Sequence, residues 1–151
     1  MDNEILQVVM RYVHICSAVI AMGGMVFLIA CLLPAANKLS ESERSLVVSS
    51  AIERFHRWVW ISIVGLTVSG AYTWYINNAI YSAIKPWGQM LIGTKVLVAM
   101  IMFGLVAARS MGLIKFSRPR VLPMINLHLA AIVVLLAAIL RAFRLHHMAG
   151  G

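Results

Sequence analysis

Acidic side chains are almost missing from this chain. Its 151 residues hold five, and Asp2, Glu4, Glu41, Glu43 and Glu53 all fall at the N-terminus, in a polar connection or at the head of a helix. No carboxylate is left inside an apolar stretch to relay protons or hold a cation, which argues against an acid-driven ion pump. A glycine-rich phosphate loop, a zinc-type cysteine cluster and a catalytic serine triad are also lacking. The two cysteines, Cys16 and Cys31, sit on one apolar stretch roughly 22 Å apart along a helix, too far to pair with each other.

Charge of either sign is scarce. Only 12% of residues are charged and 62% are hydrophobic, whereas a soluble domain carries about a quarter charged residues. This composition predicts an all-α, integral membrane four-helix bundle, up-down-up-down, formed by a single domain over 1–151. Four apolar stretches, roughly 4–34, 51–77, 86–109 and 123–144, are each long enough to span as a helix. The first lacks a basic leader and runs too long for a cleaved signal peptide, so it is expected to be retained.

The net charge of +8 is scattered over loops and helix ends, not gathered in a patch, and does not point to nucleic acid. Lys38, Arg44, Arg54 and Arg57 surround the first connection, and Arg109, Lys115, Arg118 and Arg120 the third. Arg11, Lys85, Arg141 and Arg144 lie on the opposite side. That bias predicts a multi-pass protein of the plasma (inner) membrane with both termini outside.

Local signals place the helix ends. Asp2 or Asn3 caps the first helix, which is expected to end near Pro34. Ser50-Ala51-Ile52-Glu53 is a Ser-x-x-Glu capping box opening the second. Tyr72, Trp74 and Tyr75, a turn at Asn77-Asn78, and Tyr81 form an interfacial aromatic belt. Pro86-Trp87 opens the third helix, and Pro119 and Pro123 mark the approach to the fourth. Ser62, Gly65 and Ser69 make a small-residue stripe on which a neighbouring helix can approach closely.

Counting depth from the helix starts puts His14 level with Lys95, and His56 level with His128. A buried imidazole is a good axial ligand for haem iron, and two on facing helices of a bundle can clamp a porphyrin. His56 with His128 fits that geometry, with Arg54, Arg57, Arg118 and Arg120 at the same end to pair with propionates. At the other level His14 has small neighbours, Ser17, Ala18 and Ala21. Lys95 ligates only as a neutral amine and otherwise snorkels to the interface. The plainer alternatives are an interfacial His56, and polar contacts across helices for His14 and His128; His146 and His147 decorate a wet terminus. Copper is a different possibility, since thioether and imidazole suit copper(I): Met10 and His14 share a helical face, and Met90, His146, His147 and Met148 lie at the same side.

The chain resembles the four-helix membrane family that includes the copper-resistance D domain and the haem-binding HemJ-type protoporphyrinogen oxidases. The resemblance rests on His14, Ala18 and Met22-Gly23-Gly24, on Arg54-Phe55 and Thr67-Val68-Ser69-Gly70, on Lys95, and on Arg120 with Asn126. It implies that His14 and Lys95 match the family's helix 1 histidine and helix 3 lysine, which bear on haem binding. Two departures touch the oxidase chemistry: Leu127 follows Asn126 where HemJ-type proteins carry an acid, and Leu32-Leu33-Pro34-Ala35 replaces their motif after helix 1. The expected function is therefore a membrane b-type cytochrome with one or two haems b, passing electrons to a redox partner or quinone as a homo-oligomer or within a larger complex. The alternatives are a copper-handling protein, a HemJ-like oxidase acting as a membrane oxidoreductase, and a structural or assembly subunit.

Overall fold

A computed structural model describes the backbone of residues 2–83, 87–114 and 120–149, and their side chains except at 2–3, 80–83, 87, 144 and 146–149. Lys85, Pro86, Lys115, Arg118 and Pro119 therefore lie outside the described residues, as do the side chains of Tyr81, Trp87, Arg144, His146, His147 and Met148. Among the described residues the secondary structure is all helical. Four helices, Glu4–Ala36, Glu41–Ala79, Gly88–Ser110 and Val121–Phe143, are long and apolar enough to cross a membrane.

The first of these is not uniform. Helix α1 (Asp2–Phe27) runs into a π-helical turn, Leu28–Leu32, and then into the short α2 (Leu33–Ala36). Pro34 is the cause, because it donates no N–H and its ring crowds the carbonyl four residues back. Widening the preceding turn relieves both, and the Leu33 N–H reaches back five residues to the Leu28 carbonyl. The proline is thus absorbed, and the helix ends at Ala36, just past the expected stop at Pro34.

Helix α3 (Glu41–Ala83) corrects the expected second helix at both ends. It begins ten residues early, at a different Ser-x-x-Glu box: the Ser40 N–H donates to Glu43 Oε2 at 3.1 Å and the Ser40 hydroxyl bonds the same carboxylate. Ser50 and Glu53 lie inside the helix, because nothing between Glu41 and Ser50 breaks it and Ser45 and Ser49 turn their hydroxyls onto their own helix. Asn77 and Asn78 are helical too, so no turn forms there. At 43 residues, α3 is about 65 Å long, roughly twice the hydrocarbon core. Its stretch between Arg57 and Asn77, Trp58 to Ile76, spans ~28 Å. That stretch is bracketed by the exposed rings of Trp58 and Trp60 at one end and Trp74 and Tyr75 at the other, the placing of aromatic side chains at two interfaces. Replacing Ser40 by alanine is expected to weaken the start of α3 by about 1 kcal/mol; hydrogen exchange at the amides of residues 41–44 should speed up several-fold while that at Ser69 does not change.

Helix α4 (Trp87–Ser110) ends in a turn that only glycine takes without strain. Gly112 has φ of 72°, the Leu113 N–H bonds the Ala108 carbonyl at 2.9 Å and the Gly112 N–H bonds that of Arg109 at 3.1 Å, which is a Schellman cap. Helix α5 (Val121–Ala149) starts two residues before the expected 123, with Pro123 harmless in its first turn, and continues past 144.

The chain forms two compact units, residues 1–73 and 74–151. In the first, α1 approaches the first part of α3 at a few points, Gly24 with Phe55, Ser17 with Gly65 and His14 with Ser69; in the second, α4 packs on α5. Burial differs from that of a soluble protein, with polar side chains buried beside Met25, Leu28, Leu33, Ala36, Ala130 and Leu140. The most buried side chains include Ser17, Ser62, Ser69 and Asn126, while large apolar residues such as Val8, Val19, Leu97 and Leu135 face outward. Small polar groups packed inside and aliphatic groups outside suit helices surrounded by lipid.

Candidate functional site

The site is the seam where α1 meets α3. Three close approaches fix its register. The Phe55 ring lies over Gly24, Ser17 lies over Gly65, and His14 Cε1 comes within ordinary contact distance of where a Gly70 side chain would begin. At Gly24 and at Gly65 an added methyl would overlap the neighbour, so these glycines let the backbones close up.

That register brings His14 to Ser69. His14 Nδ1 is 2.8 Å from Ser69 Oγ, and Ser69 is fully buried, 0% exposed. A serine hydroxyl has one hydrogen, and Ser69 directs it to the Gly65 carbonyl one turn back. It must then accept from the histidine, so His14 carries its proton on Nδ1 and its lone pair on Nε2. Fixing one ring nitrogen as donor in this way sets the other as the ligating atom.

The other histidines are sorted by the same reasoning. His128 Nδ1 donates to the Met124 carbonyl at 2.7 Å, which again puts the lone pair on Nε2. This imidazole lies on an exposed face of α5, in an open apolar hollow with Val121, Met124, Ile125 and Leu129. His56 is held in the opposite sense: the Trp60 indole N–H donates to its Nε2 at 2.8 Å, with the rings edge-on. The proton of a neutral His56 is then on Nδ1, and ligation through Nε2 requires the Trp60 bond to break. If haem is bound through His14, His56→Ala is expected to leave the visible spectrum of the protein unchanged; a lost or shifted band would make His56 a ligand.

The remaining candidates divide between the units. In the first, Met10 is half-buried one turn before His14, and Arg54 and Arg57 are exposed on α3 beside His56. His56 precedes Ser69 by ~20 Å of helix, so His14 and His56 occupy different levels of the seam. In the second, Lys95 is half-buried on α4, Met90 is exposed near the start of α4, and Arg120 is half-buried where α5 begins. Asn126 is buried on α5, 4% exposed, with no partner for its side-chain oxygen. Among the described residues no group of three or more His, Cys, Asp or Glu side chains converges on one point.

Two partnerships escaped the sequence reading. The His56–Trp60 pair has a visible signal, since residues four apart share a helical face. The His14–Ser69 pair has a weaker one: both residues are conspicuous in sequence, but joining them needs the register of two helices. Comparison with protein-family models, with curated proteins and with solved structures finds no match.

Proposed function

We propose that this chain is a membrane b-type cytochrome in which His14 supplies an axial ligand to haem and electrons pass through the helical core. The observation that carries the reading is the chain of bonds from His14 Nδ1 through Ser69 Oγ to the Gly65 carbonyl. It holds the imidazole in one tautomer and one orientation inside a layer where an unsupported polar group is costly.

The residues present fit the group. His14 offers Nε2, Ala18 and Ala21 leave room on the helix for a flat ring, and Arg11 lies one turn away at the same level to meet a propionate. His128 offers a second nitrogen of the same tautomer on α5 of the second unit, and within the first unit Arg54 and Arg57 lie exposed on α3 beside His56. Haem so held supplies a one-electron couple. The protein's own part is to orient the ligand and set the field at the iron. The excess of basic residues around the first and third connections supports both termini outside, in the plasma (inner) membrane.

Ser69 is a positioning residue in this reading. Ser69→Ala is expected to lower haem affinity about 10- to 100-fold and to shift the reduction potential, and Ser69→Thr should restore both. Titration of the haem-free protein with haem, followed by a redox titration, measures them. Unchanged affinity and potential in Ser69→Ala would remove the support for His14 as ligand.

A further inference from the structure

The α1–α3 seam contains hydrogen-bonding groups that the protein itself leaves unanswered. Ser62 is 1% exposed, and its Oγ meets no donor or acceptor; the Tyr72 hydroxyl is also buried without one. Both residues lie on the face of α3 that meets α1. Ser62 is flanked by the contacts of Phe55 with Gly24 and of Gly65 with Ser17, and Tyr72 lies two turns beyond Gly65.

Ser62 had a simple way to satisfy itself. Thr67, Ser69, Thr73, Thr94 and Ser110 all turn their hydroxyls onto the carbonyl four residues back. Ser62 does not take the equivalent bond to the Trp58 carbonyl, so its hydroxyl is directed into the seam. A buried hydroxyl left without a partner costs roughly 1–3 kcal/mol, and lipid offers no remedy. The occupant has to be small and polar.

We propose that the seam between α1 and α3 holds water, bound at Ser62 on one side of the His14–Ser69 pair and at Tyr72 on the other. A buried water needs two to four polar partners. At Ser62 these are the hydroxyl itself and the second lone pair of the Trp58 carbonyl that Ser62 leaves untaken. Ser62 and Tyr72 are ~15 Å apart along the helix, so the two sites lie on either side of the level at which His14 meets Ser69. The inference goes beyond haem binding and holds whether or not haem is present.

The test is an experimental structure of the intact protein in a lipid disc, at a resolution that shows ordered water. One peak within hydrogen-bonding distance of Ser62 Oγ and a separate one within that distance of the Tyr72 hydroxyl are expected. A dry seam overturns the proposal, as does either hydroxyl bonded only to protein atoms. In Ser62→Ala the first peak should vanish and the second persist; a peak that stays in place without the hydroxyl would show that Ser62 does not hold it.

Discussion

His14→Ala should abolish the absorbance of the haem bound at its level while leaving the helices in place. The side chain is the only histidine on α1, and its loss takes away the Nε2 donor without adding bulk to the seam. Ser69 keeps its bond to Gly65, so no buried hydroxyl is stranded by the change. Circular dichroism should therefore match the parent protein and the visible spectrum should not. If two haems are bound, His128→Ala should remove the other. Unchanged spectra in both variants would refute the assignment of these histidines as ligands.

The second large effect is expected at Gly65. A side chain there collides with Ser17 and approaches Val13 Cγ1 to 3.6 Å already at its first carbon. Gly65→Leu must push α1 away from α3, and overpacking of this kind costs typically 1–3 kcal/mol, occasionally more. The same displacement pulls His14 from Ser69, so thermal stability and cofactor binding should fall together. Gly23 is the control, since it is exposed and nothing lies within 4 Å of where its side chain would begin. Gly23→Leu should be neutral or slightly stabilising, because glycine in a helix costs about 1 kcal/mol relative to good helix formers. Equal melting temperatures for the two variants would mean that α1 and α3 do not pack in this register.

The large features of this fold are written in its hydropathy. Lipid demands helices whose backbone groups are satisfied within the segment, and four apolar runs of sufficient length, three of them uncharged and the third interrupted only by Lys95, announce them. The helix ends are less legible. Ser40-Glu41-Ser42-Glu43 and Ser50-Ala51-Ile52-Glu53 are the same signal, and only the absence of a breaker between them tells that the helix starts at the earlier one. Asn77-Asn78 carries turn chemistry, yet a pair of asparagines does not stop a helix long enough to run through the interface. Pro34 reads as a stop, but one π-helical turn accommodates it.

The site was legible in its parts and not in its joins. His14 is evident as an ionisable group at depth, and Ser69 as one of a stripe of small residues. That the stripe also provides the acceptor for the imidazole depends on which residue of α1 lies against which residue of α3, a property of the packed pair. The resemblance to the copper-resistance D and HemJ-type family picks out Gly24 and Phe55, His14 and Ser69, and Gly70 as separate motifs. In the structure these residues meet one another across one seam.

The central claim is haem held through His14, and a reduced-minus-oxidised visible spectrum of the purified protein tests it most directly. The protein is to be expressed with ample haem supply and its haem counted as the pyridine haemochrome. The account predicts one or two b-type haems per chain, with the bands at the level of His14 lost in His14→Ala. Protein without haem absorbance would contradict it, and copper retained in the same preparation would turn the reading to Met10, His14 and Met90.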